Sequence, residues 1–157
     1  MITFEIITDG KRPEKLREQI ASIIALEVPE YEILIAGNYP GDLFLPEFAE
    51  AGRLGAMRNA IADTAKYDIV SICDDDILYL AGWYNGLMEY TAPWDLMCSK
   101  MLNPDGTRCW DWVTKGGARG HVLIPYWEND PCLYITGGRI VGKRDVLQAV
   151  RWDDWRG

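Results

Sequence analysis

The sequence predicts an α/β domain, a mixed and mainly parallel sheet flanked by helices, with an antiparallel hairpin in its second half. Three observations carry this. Apolar, β-branched runs at Ile2 to Thr8, Tyr31 to Ala36 and Ile69 to Cys73 read as buried strands. Stretches with helical apolar spacing lie between them, so strand and helix alternate as parallel pairing requires. At 157 residues, 48% hydrophobic and 25% charged, the chain is one domain with enough apolar surface for a core.

The first strand carries Thr3, Phe4, Ile6 and Ile7. Asp9-Gly10-Lys11-Arg12-Pro13 then supplies turn chemistry, with Pro13 suited to the first turn of a helix. Leu16, Ile20, Ile23 and Ile24 follow at i, i+4, i+7 and i+8, one apolar face, with Gln19 among the residues outside it. Tyr31 to Ala36 closes at Gly37-Asn38, completing a β-α-β unit whose strand ends place Thr8, Asp9 and Asn38 at a ligand position. Pro40, Gly41 and Pro46 break the next stretch into loop. Arg53 to Ala62 resumes a helical pattern. A solvated face is the ordinary place for Arg58, but its nearness to the acidic strand end makes it, with Arg53, a phosphate candidate.

That strand, Ile69 to Asp76, runs from apolar residues into three carboxylates. Extended backbone would set Asp74 and Asp76 on one side and Asp75 on the other. Carboxylates this close repel unless a cation or protons intervene. Hard oxygen ligands suit Mg²⁺ or Mn²⁺ rather than zinc.

Leu78 to Tyr90 reads as a helix with Leu80, Trp83, Tyr84, Leu87 and Met88 inward. Asp95 to Met101 and Thr107 to Val113 flank the turn Asn103-Pro104-Asp105-Gly106 as an antiparallel hairpin. In Trp110-Asp111-Trp112, buried indoles with Asp111 exposed is the preferred arrangement, and Asp111 facing a pocket the alternative. Lys115 to Asn129 is a Gly-rich loop whose His121 is a minor candidate for a third metal ligand or phosphate contact. Pro131 to Val141 is another strand, interrupted by Gly137-Gly138, and Lys143 to Val150 a short helix.

A net charge of −8 suits no nucleic-acid polymer as partner. Cys73, Cys98, Cys109 and Cys132 form no C-x-x-C pair and read as buried free thiols. No signal segment opens the chain and no apolar run reaches the ~18 residues of a membrane span, so a cytoplasmic protein is expected.

In order and spacing these residues resemble the GT-A fold glycosyltransferases, and within them the large family 2. Thr8-Asp9-Gly10-Lys11-Arg12-Pro13 is similar to the family's opening turn, Gly55-Ala56-Met57-Arg58-Asn59 to its Gly-x-x-Arg-Asn helix, and Asp74-Asp75-Asp76 to its DxD motif. The likeness is good over residues 1–94 and looser beyond. It implies a single Rossmann-like GT-A domain, with a nucleotide-sugar-binding half at 1–94 and an acceptor-side half at 95–157. It implies transfer of a sugar from a nucleoside-diphosphate sugar, a UDP-sugar first, to an unidentified sugar, lipid or protein acceptor, with inversion expected. Thr8, Asp9, Arg12, Asn38, Arg58, Asp74 and Asp75 would bind the donor, Asp74 and Asp76 would hold Mn²⁺ or Mg²⁺, and Asp153 and Asp154 would supply the general base.

Two departures accompany the likeness. Gly37-Asn38 stands where the family usually places a base-reading acid, and the acidic pair of many relatives lies further along. A fragment, or a chain completed by a partner or a second copy, stays open. So do a nucleotidyltransferase, for which Asp9 to Arg12 makes a poor triphosphate loop, and a binding module that keeps the metal site without the base.

Overall fold

The computed structural model describes residues 1–135 and 139–153. The first half runs β1 (Ile2–Thr8), α1 (Pro13–Ile24), β2 (Tyr31–Gly37), β3 (Leu43–Phe44), α2 (Pro46–Glu50), α3 (Leu54–Thr64) and β4 (Ile69–Asp74). There follow α4 (Trp83–Glu89), β5 (Leu96–Cys98), β6 (Trp112–Thr114), β7 (Val122–Leu123), β8 (Leu133–Ile135), β9 (Arg139–Lys143) and α5 (Arg144–Ala149). The larger sheet has the order β3-β2-β1-β4-β9-β5. Its first four strands are parallel, and β9 lies antiparallel to both neighbours. A second, antiparallel sheet has the order β7-β6-β8.

β1 is buried along its whole length, so both faces of its alternation must be covered. Ile2, Phe4 and Ile6 pack with Leu16 and Ile23 of α1, where Phe4 meets Tyr79 edge-on at 5.2 Å and Tyr79 meets Trp83 at 4.8 Å. Ile7 lies on the opposite face with Leu34, Val70 and Ile72, covered by Met57 and Ile61 of α3 and Leu147 of α5. Each such aliphatic side chain contributes about 1.5–3 kcal/mol on burial.

Several expectations are corrected. Gln19 is buried and Ile24 is exposed, because the buried face of α1 centres on Leu16, Gln19 and Ile23 at i, i+3 and i+7. The stretch read as loop carries β3 and α2. α4 starts at Trp83, after Gly82 takes a left-handed φ of 83°, and Leu80 and Met88 face solvent. The long strand from Pro131 divides into β8 and β9, which join different sheets, and Gly137-Gly138 lies outside the described residues. The four cysteines are free, but only Cys73 is fully buried, which pushes its thiol up to about 12.

The expected hairpin stops one bridge beyond its turn, where Cys109 N–H donates to the Met101 carbonyl at 2.8 Å. Asn103 N–H donates to the Thr107 carbonyl at 2.8 Å, and one bridge joins Leu102 to Arg108. β5 instead pairs with β9 and β6 with β7 and β8. The cause is Asp111, which is fully buried rather than exposed. It accepts from Met101 N at 2.8 Å, Tyr126 Oη at 2.6 Å, Arg108 Nε at 2.8 Å and Trp112 N at 2.7 Å. Burial alone would raise this carboxyl, but those donors together hold it below the usual range. Trp110 is turned outward instead.

Among the described residues no helix is long and apolar enough to cross a membrane. Glu5 breaks the apolar pattern of β1: it sits between Leu34 and Ile72 in register, fully buried, with neither carboxyl oxygen hydrogen-bonded to a described residue. Burial pushes its carboxyl well above the usual range, against the pull of Arg58. The folded state therefore keeps a proton that the unfolded chain releases, so stability falls as pH rises above the ordinary glutamate value. Thermal or urea unfolding from pH 4 to pH 8 checks this. The wild type is expected to lose up to ~1.4 kcal/mol per pH unit over part of that range, and Glu5→Gln to lack that component and be the more stable protein at pH 8.

Candidate functional site

α1 covers one face of the sheet and α3 the other, so the chain leaves β1 towards β2 on one side and reaches β4 on the other. Strand order reverses between β1 and β4, and a crevice beyond their carboxyl ends is the physical result. A cleft of about 210 Å³ opens there. Its wall takes Thr8, Asp9 and Arg12 from the turn after β1, Leu54 and Met57 from α3, and Asp74 and Asp75 from the end of β4.

The three carboxylates do not alternate as extended backbone would have them. β4 ends at Asp74, and Asp75 and Asp76 lie in a turn. This corrects the pairing of Asp74 with Asp76. Asp75 is the inward residue, its side chain 1% exposed. Thr8 Oγ1 donates to Asp75 Oδ2 at 2.5 Å and accepts from Gly10 N at 3.0 Å. The Arg12 guanidinium bridges the acids, with Nη2 against Asp75 Oδ1 and Nη1 bonded to Asp76 Oδ2 at 2.5 Å. The contact at Asp75 Oδ1 is an ion contact without hydrogen-bond alignment, so the Arg12 guanidinium covers that buried oxygen as a charge rather than as a directed donor.

Arg58 is buried, not on a solvated face, and donates from Nη2 to Asp74 Oδ1 at 3.1 Å. Its Nε has no hydrogen-bond partner among the described residues. Glu5 lies on the same face of the sheet beneath it, and Asp74 and Arg58 both act on its carboxyl. Sequence reasoning passed over Glu5, although an acid inside an apolar strand was a visible signal.

The other candidates are spread around this centre. Asp9 is half-exposed, and the Lys11 N–H holds its carboxyl below the usual range. Asn38 is exposed, its N–H donating to the Thr8 carbonyl at 3.1 Å, while its own carbonyl crowds the place where a Cβ on Gly10 would stand. Asp153 is exposed, and its backbone lies against the Gly-x-x-Arg-Asn helix. A Cβ on Gly55 would strike the Asp153 carbonyl. Asn59 brackets the preceding residue, donating from Nδ2 to the Trp152 carbonyl at 3.0 Å and accepting from Trp152 N at 3.1 Å. Gly55 and Asn59 thus seat the 152–153 segment beside Leu54 at the cleft wall. Asp154 lies outside the described residues. His121 is exposed and stacks on Trp110 at 4.7 Å, in the region of the second sheet.

Among the described residues no three His, Cys, Asp or Glu side chains converge to hold a metal ion by themselves. The residues fit a different kind of cation site. Mg²⁺ is commonly held by one or two carboxylates, with substrate phosphates and water completing its shell. Asp74, half-exposed, and Asp75, whose Oδ1 meets only the Arg12 charge, are two such carboxylates on one cleft.

The Thr8–Asp75–Arg12 arrangement has a measurable energetic signature. Thr8→Val removes a donor from a buried carboxylate and is expected to cost about 1–3 kcal/mol in urea unfolding. Arg12→Met is expected to cost about 1 kcal/mol, because nearly half of that side chain is exposed and its pairing is screened. A double-mutant cycle should show coupling of about 0.5 kcal/mol or more, since both act on one group.

No family model, curated protein or solved structure matches this chain.

Proposed function

We propose that the chain is a metal-dependent glycosyltransferase that takes a sugar from a nucleoside-diphosphate donor at the β1–β4 cleft. The observation that carries the reading is the meeting of Asp74 and Asp75 with Arg12 and Arg58 at the point where strand order reverses. A diphosphate needs opposite charge and directed donors, and this cleft offers the Arg12 guanidinium in its wall, with Arg58 buried behind Asp74, beside two carboxylates that a cation could bridge. The likeness of the Thr8 turn, the Gly55–Asn59 helix and the Asp74–Asp76 motif to family 2 supports the same reading.

When bound, Mn²⁺ or Mg²⁺ on Asp74 and Asp75 would supply Lewis-acid stabilisation to the departing phosphate. The chain's own groups do the positioning. Thr8 and Arg12 fix Asp75, and Arg58 fixes Asp74. Arg12, nearly half-exposed, is free to turn from Asp76 towards a phosphate oxygen. Asp153, whose backbone is seated over Gly55, is our candidate to take the acceptor proton, with Asp154 as the alternative.

Calorimetric titration with UDP, GDP and dTDP, each with and without Mn²⁺, tests this. One nucleotide is expected to bind in a metal-dependent way, with at least ~10-fold loss in Asp74→Asn and a smaller loss in Asp76→Ala, whose carboxylate faces outward. No binding of any of the three under either condition removes the transferase reading.

A further inference from the structure

A second and larger cavity, about 400 Å³, lies on the sheet face opposite α3, between α4 and the β5–β9 edge. Trp83, Leu87 and Tyr90 form its roof, and Met97 and Val141, paired in register, its floor. Such a volume falls within the range of small-molecule sites, and the lining is mostly apolar. Three features separate it from a packing gap.

The first is charge. Among the described residues no acid lines the cavity, in a chain whose net charge is −8, and Lys100 stands at its rim. The second is Arg139. It lies two positions before Val141 on β9 and therefore on the same face of the sheet. Its Nε and Nη1 are buried without a hydrogen-bond partner among the described residues. It stands beside the cavity rather than among its lining residues, one position before Ile140, the register partner of the cavity-lining Cys98. The third is Gly86, a glycine in the interior of α4 where helix propensity disfavours it. A Cβ there would meet nothing within 4 Å, so the missing side chain keeps the cavity open.

We propose that this cavity binds a single-chain amphiphile with a carboxylate head. Its apolar tail lies between Trp83, Leu87, Met97 and Val141, and its head meets Arg139 and Lys100. The buried, unpartnered N–H groups of that guanidinium call for one neutralising charge carrying acceptor oxygens, which a carboxylate supplies. Lys100 is exposed, its ammonium 4.8 Å over the Tyr126 ring, and adds a second cation at the mouth. The site goes beyond the transferase reading and does not depend on it, because its residues belong to the other face of the sheet.

Calorimetry of the full chain with decanoate, below its aggregation concentration, tests the site against decanol and acetate. Saturable one-to-one binding of decanoate is expected, with decanol at least ~10-fold weaker and acetate without measurable binding. Gly86→Leu should fill the cavity and abolish binding while the fold is kept, as read by near-ultraviolet circular dichroism. Arg139→Gln should weaken decanoate at least ~10-fold, and Lys100→Gln at the rim reads the same charge preference should Arg139→Gln fail to fold. Asp74→Asn, at the other cleft, should leave decanoate binding unchanged, which separates failure here from failure of the nucleotide site. Undiminished binding in Gly86→Leu, equal binding of decanol, or no saturable binding overturns the proposal. So does a concentration-dependent dimer that Gly86→Leu abolishes, since the occupant would then be a second copy.

Discussion

A carboxylate shut away from water has to be met by donors and cations brought to it, and Asp75 imposes that demand on the ends of two strands. Its partners come from the turn after β1, some 67 residues earlier in the chain. Satisfying it fixes that turn: Thr8 cannot leave without stranding a buried oxygen, and Arg12 is held over the acids. Gly10 follows, because the turn is tight enough that only a residue without a side chain passes Asn38. The register of β1 against β4 and the shape of the cleft are therefore consequences of one buried charge as much as of the apolar core.

Local pattern foretold the elements that local pattern controls. β1 was bounded correctly because apolar residues stop at Thr8 and turn residues begin at once, and α1 starts at Pro13 as a proline in the first turn should. What escaped was decided by partners distant in sequence. Extended backbone was assumed through Asp76, whereas Thr8 and Arg12 draw Asp75 inward and the strand turns. The Asn103–Gly106 turn was read correctly, yet its ladder fails because Met101 N–H is committed to the Asp111 side chain. Asp111 itself was assigned to the surface because alternation cannot reveal four donors arriving from elsewhere. In each case a polar group found a better partner than the local rule supplied.

Glu5, Arg58 and Asp74 form a line of ionisable groups from the middle of the sheet to the cleft. Such groups cost stability, and an apolar residue at position 5 would pack between Leu34 and Ile72 without that cost. Their concentration on the α3 side, under the helix that also seats Asp153 through Gly55 and Asn59, is what a site rather than a scaffold contains. The opposite face, with Phe4, Tyr79 and Trp83 in edge-on contact, carries the aromatic packing instead.

The path of the chain between β5 and β9 has one more implication. These strands are hydrogen-bonded neighbours, so the chain leaves the main sheet and returns to it at nearly the same point, carrying β6, β7 and β8 in between. The excursion behaves as a graft on a closed stem: its length and composition can change while the ends stay where the β5–β9 ladder holds them. Asp111 and Arg108 give the graft its own polar centre, tied to β5 mainly through Cys98 and to the strand's extension at Met101. A fold arranged this way can vary one cassette while the β5–β9 ladder, and through it β4, keeps its register.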